Sequence, residues 1–248
     1  MKFFLCAILV MASTLKLVAQ TGDSTIKYIW KNETTHIIAA IEMYGLQKNK
    51  SACSMYFLKN VDTAYNSATD SLLRNFTNIS FLNCPVIIIN FYNYDDSVSD
   101  NNIKLYSNTF TKFILPEIEK KYPALSGSNV IVSGINDLSM VVLLSAINNP
   151  FKIKKTALFF NDKVNFSAMT PRNLETSKNL KGKLFIYVNH QNYTVAFKDS
   201  FIANLALESS AVFYKYDHYD NPLPHNLFME AYKWLMADGN NYIIKNNH

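Results

Sequence analysis

Glycine is scarce in this chain: 6 of 248 residues, against the roughly 7% of an average protein, which leaves few places where a strained turn costs nothing. Clustered positive charge is missing too. Lysines are scattered, so no stripe exists to neutralise a phosphate backbone, and nucleic-acid binding is excluded despite a pI near 8.9. Cysteine occurs three times, at Cys6, Cys53 and Cys84. No histidine, cysteine or carboxylate spacing fits a metal site, and no cofactor is implied. Beyond the first twenty residues no apolar run is long enough to cross a bilayer.

What is present begins with a leader. Lys2, the apolar run Phe3 to Ala12 and a small-residue end at Val18-Ala19-Gln20 form a signal-peptide pattern, too short to span a membrane. The expectation is a signal peptide over 1–20, a single domain over 21–248, and a secreted or periplasmic protein that does not span the membrane once the leader is removed. Losing Lys2 and Lys16 lowers the formal charge from +5 to +3. Cys53 and Cys84 remain; export permits a disulfide between them, and two reduced, buried thiols are the alternative.

Eight runs rich in β-branched and aromatic residues read as strands: Ile26 to Trp30, His36 to Tyr44, Ala52 to Leu58, Val86 to Tyr92, Val130 to Ile135, Lys155 to Asn161, Lys183 to Asn189 and Ala211 to Tyr216. The first two flank a polar turn and suit a hairpin. Several later ones are continuously apolar, as central parallel strands covered on both faces are. Helical patterns at Thr63 to Phe76, Asn102 to Tyr122, Leu138 to Asn148, Val195 to Glu208 and Asn226 to Asp238 alternate with them, which predicts an α/β sheet. Pro116 should kink the second helix, Gly239 should cap the last, and Tyr94 to Asn102 reads as a mobile loop.

Val130 to Ser139 (VIVSGINDLS) runs a buried strand into a turn and a helix. A Gly-x-Ser-x-Gly elbow exposes a serine hydroxyl at such a corner. Here the five residues are Gly134-Ile135-Asn136-Asp137-Leu138: the first glycine is kept, while an asparagine and a leucine replace the serine and the second glycine. A carboxamide is a poor nucleophile, so the acyl-enzyme route is closed at this position. Asparagine tolerates positive φ, so the turn itself survives the replacement.

The order of elements resembles the esterase family of the α/β-hydrolase superfamily that contains esterase D and enterochelin esterase. The likeness covers most of the mature chain. Ser54 to Phe76 looks like that family's strand, oxyanion loop and helix; Phe110 to Pro123 resembles the helix ahead of the nucleophile strand; Tyr219 to Leu235 resembles the segment carrying the catalytic histidine. The resemblance implies an α/β-hydrolase fold with a mostly parallel eight-stranded sheet flanked by helices. It places His225 on the histidine, Asn136 on the nucleophile, and the triad acid among His190, Gln191 and Asn192, none of them a carboxylate. Asp137 would set a negative charge beside the oxyanion hole, opposing the charge to be stabilised. Asn60, Asp137, Tyr92, Tyr193 and Tyr219 are the expected pocket lining.

Rival chemistry fares worse. Asp137 is one position out of register for a carboxylate nucleophile, Ser139 reads as a helix-surface hydroxyl in the first turn, and Ser133 as a buried strand residue. Asp217, His218, Asp220 and His225 match no zinc spacing, and Asp95, Asp96 and Asp100 lack the glycine of a calcium loop. His225 without a serine partner reads as a structural histidine ahead of the last helix. The expected function is therefore binding by an exported, esterase-like pseudoenzyme, its partner a small ligand. An active carboxylesterase using an atypical residue is the first alternative, and a structural partner of an envelope protein the second.

Overall fold

The computed structural model describes residues 25–46, 53–61, 66–78, 84–92, 100–126, 129–160, 182–189, 211–217, 226–237 and 243–246. Nine strands form one sheet, one more than expected: β1 (Ile26–Asn32), β2 (Ile37–Tyr44), β3 (Cys53–Asn60), β4 (Val86–Tyr92), β5 (Asn129–Ile135), β6 (Ile153–Phe160), β7 (Lys183–Asn189), β8 (Ala211–Asp217) and β9 (Ile243–Asn246). Their spatial order is β1-β2-β4-β3-β5-β6-β7-β8-β9. The first two make the expected hairpin and β2 joins β4 antiparallel; every pairing from β3 onward is parallel. In the hairpin turn the Asn32 side chain accepts from Thr35 N–H at 2.9 Å and His36 takes φ 55°.

Successive strand residues face opposite sides of a sheet, and two cores result. One face carries Tyr56, Leu58, Ile87, Ile89, Val132 and Leu158, packed beneath α2 (Asp100–Thr109), α3 (Leu115–Lys121) and α4 (Leu138–Asn148). The other carries Met55, Phe57, Ile88, Ile131, Phe159 and Phe185 beneath α1 (Asn66–Thr77) and α5 (Leu227–Met236). Phe228 of α5 fixes that side: its ring stands edge-on to Phe57 and Phe159, with centroids 5.4 and 5.0 Å away. Edge-to-face pairs satisfy the ring quadrupoles while excluding water.

The break expected at Pro116 falls one turn earlier. Pro116 has no N–H to return to the preceding turn, and Phe110–Ile114 widens into a π turn in which Leu115 N–H donates to Phe110 O. Pro116 follows this π turn directly, in the first turn of α3, so the widened turn takes up the missing donor. Asp100 to Asn102, assigned to a mobile loop from sequence, are instead the first residues of α2. The last helix ends at Met236, short of Asp238, with Ala237 N–H donating to Lys233 O; Gly239 and the helix expected at Val195 to Glu208 lie outside the described residues. Among the described residues no helix is long and apolar enough to cross a membrane.

Cys53 and Cys84 form a disulfide with Cα atoms 5.0 Å apart. Both are buried at the lower end of the α1 face, at the start of β3 and just ahead of β4. Of the two alternatives, a bridge or two buried thiols, the bridged one is present.

Candidate functional site

Two residues, Asn136 and Asp137, join β5 to α4. Asn136 takes φ 53°, in the left-handed region, and Asp137 already has helical dihedrals. Hydrogen bonds hold the turn on both sides: Asn136 N–H donates to Phe159 O at 2.7 Å, and Ser139 N–H donates to Asn136 O at 2.9 Å. Gly134 permits the reversal, because a Cβ there would lie 2.5 Å from Ser139 Cα and 2.6 Å from Leu138 O. The helix thus rests directly on the strand backbone.

Ser139 departs from expectation. It is fully buried rather than on the helix surface. Its hydroxyl donates to Gly134 O at 2.8 Å and accepts from Phe159 N–H at 3.2 Å, tying β5, β6 and α4 together. Buried, and with its proton held by a backbone carbonyl instead of a general base, this hydroxyl is not activated for attack on a substrate. Ser133 is buried in β5 as expected.

The other expected site residues divide. Asn60 is buried at the end of β3, and the register that sets Leu58 opposite Gly134 carries Asn60 to the same end of the sheet as Asn136. Asn136 and Asp137 are both half-buried. Tyr92, at the end of β4, instead faces a cleft on the α1 side, with Lys59 and Asn90. His225, Gln191, Asn192, Tyr193 and Tyr219 lie outside the described residues, as do Asp95, Asp96 and His218. Among the described residues no three metal-ligating side chains gather.

Solved structures resemble this architecture along nearly its whole length. An S-formylglutathione hydrolase from Agrobacterium tumefaciens superposes with a TM-score of 0.59 at 11% identity, over 89% of this chain and 97% of its own. A cold-adapted esterase from an Arctic intertidal metagenomic library gives 0.59 at 8% identity, over 89% and 96%. A siderophore hydrolase from Aspergillus nidulans gives 0.55 at 10% identity, over 88% and 94%. The chain has the α/β-hydrolase fold. Sequence comparison finds neither a matching family model nor a matching curated protein, so the likeness rests on backbone geometry. In the α/β-hydrolase fold a strained strand-to-helix turn at the top of the sheet is where a nucleophile is presented, and the β5–α4 corner has that shape.

Sequence reading passed over a set of charged residues on the α1 face. Lys59 is buried in β3 and pairs with Asp70 of α1. Glu42 of β2 receives the Tyr44 hydroxyl at 2.6 Å and the Lys27 ammonium at 2.9 Å. Burial alone would raise the Glu42 carboxyl, but those two partners, with Lys27 and Arg74 charges nearby, hold it below the usual carboxylate range. Tyr44 is pushed up, by burial first and by Glu42 second. The available signal was a lysine and an asparagine, Lys59 and Asn90, inside otherwise apolar strands.

Glu42 carries a pH prediction. Its folded pKa lies below the unfolded one, so its contribution to stability is complete above the ordinary carboxylate range and disappears as pH falls through the folded value. Thermal midpoints of the wild type should exceed those of Glu42→Gln near neutrality and converge with them in acid. A gap that stays constant with pH would refute the linkage.

Proposed function

We propose that this is an exported α/β-hydrolase-fold protein that binds a ligand at the β5–α4 corner without cleaving it. The observation that carries the reading is Asn136 itself, which occupies the left-handed corner residue with a carboxamide in place of a hydroxyl. The neighbouring Ser139 hydroxyl is committed to Gly134 and Phe159. Asp137, next along, adds a carboxylate where acyl-transfer chemistry needs donors for an oxyanion. Export rests on the leader over 1–20, and the missing triad acid on Gln191 and Asn192.

A second reading is an active hydrolase on a small or carbohydrate-linked ester, using an unorthodox residue. What favours it is that the structural neighbours are named as esterases and hydrolases. Magnitude separates the two: removing the nucleophile of a serine triad costs on the order of a millionfold in turnover. Purified mature protein should hydrolyse p-nitrophenyl acetate no faster than its Asn136→Ala variant, both at the rate of the protein-free blank. Turnover well above the blank that disappears in His225→Ala would overturn the binding reading and establish the second.

A further inference from the structure

The α1 face holds a cleft of about 230 Å³ that lies away from the β5–α4 corner. Its floor is the stretch of sheet where β2, β4 and β3 run side by side, with Ala40 opposite Asn90 and Asn90 opposite Lys59. Its wall is α1, through Asp70, Leu73 and Arg74. Alternate residues of a strand face opposite ways, so Lys59 and Val61 open into this cleft while Asn60 between them does not. α4 and the corner it forms belong to the other face.

The floor is polar where the fold asks for apolar residues. Asn90 is 7% exposed, and its Oδ1 has no hydrogen-bond partner among the described residues. Burying such an acceptor unsatisfied costs roughly 1–3 kcal/mol, and β4 is otherwise Val-Ile-Ile-Ile before it and Phe after it. Lys59 is 6% exposed, and of the three donors of its ammonium Asp70 takes one. A buried ion pair adds little to stability over apolar residues of similar volume. At the rim, Arg74 is exposed and forms no ion pair among the described residues. Tyr44 and Tyr92 also line the cleft.

We propose that this cleft is a binding site for a small polyhydroxylated carboxylate, with the chemistry of a sugar acid. Each requirement comes from a named group. The Arg74 guanidinium offers a planar fork matched to a carboxylate. Asn90 Oδ1 and the Asp70 carboxylate accept from hydroxyl groups, and Lys59 donates to a ring or hydroxyl oxygen. The volume, about 230 Å³, falls under the 300 Å³ or so at which pockets for drug-sized ligands begin, which suits a unit of monosaccharide size.

Calorimetric titration of the mature protein with glucuronate, glucose and acetate tests the assignment. Glucuronate should bind saturably, at least about tenfold more tightly than either of the other two. Arg74→Gln, a surface change, should weaken it about tenfold, and Asn90→Val should do the same if the variant folds; Lys104→Gln, on the opposite face, should leave it unchanged. Absence of saturable glucuronate binding, equal binding of glucose or acetate, or full affinity retained in Arg74→Gln would each overturn the proposal.

Discussion

Replacing Gly134 by alanine should destabilise the protein by about 3 kcal/mol or more, read as a lowered midpoint of urea unfolding. The added methyl would sit 2.5 Å from Ser139 Cα, 2.6 Å from Leu138 O and 2.7 Å from Ser139 N. All three are backbone atoms, so no side-chain rotation relieves the contact, and α4 must lift from β5. Overpacking of ordinary side chains costs roughly 1–3 kcal/mol. Here the displaced element is a helix buried on nearly every side: Leu138, Met140, Val141, Val142, Leu143, Ala146 and Ile147 all lie in the core. Lifting it also stretches the Ser139 hydroxyl away from Gly134 O and Phe159 N–H. Gly45→Ala supplies the contrast. That residue has φ 73°, but an added Cβ would meet nothing nearer than Pro85 Cα at 3.8 Å, so only the left-handed penalty of about 1 kcal/mol applies. Equal losses at the two positions would mean that the close approach of helix to strand at the corner is not what Gly134 provides.

The corner was readable in advance because an elbow is local: Gly134 to Leu138 contain nearly everything that shapes it, including an asparagine suited to φ 53°. Alternation of apolar runs with helical patterns was equally legible, since parallel central strands must be apolar on both faces. The misses are of a different kind. β9 has four residues, Ile-Ile-Lys-Asn, and a pair of isoleucines is no signal until β8 lies beside it. Ser139 looked like a surface residue because a first-turn position says nothing about how closely the helix returns to its own strand. Pro116 announced a break, but where the backbone yields depends on the π turn upstream. The cleft was hidden longest. Lys59 and Asn90 are far apart in sequence and become neighbours only through the β3–β4 pairing, so each alone reads as an odd residue in an apolar strand.

The disulfide supports the second large prediction, a stability loss of about 3–4 kcal/mol on replacing both Cys53 and Cys84 by serine. The bond closes a loop with a sequence separation of 31 residues, and the chain-entropy relation gives about that much from the restriction of the unfolded chain. Two further contributions have the same sign. Both sulfur atoms lie in the α1-face core beside Met55, Val86 and Ile88, so two serine hydroxyls there would be buried polar groups. The loop itself spans α1, which supplies Leu72, Leu73 and Phe76 to that core and Asp70 and Arg74 to the cleft wall. Loss of the bridge therefore loosens the segment that connects β3 to β4. For a domain of this size each kcal/mol moves the thermal midpoint by roughly 2–4 °C, so the double serine variant, or the wild type held in reductant, should melt on the order of 10 °C lower. Alanine in place of serine separates the causes. If Cys53→Ala/Cys84→Ala restores most of the midpoint, the loss came from burying hydroxyls; if it melts nearly as low as the serine pair, the closed loop around α1 carries the stability.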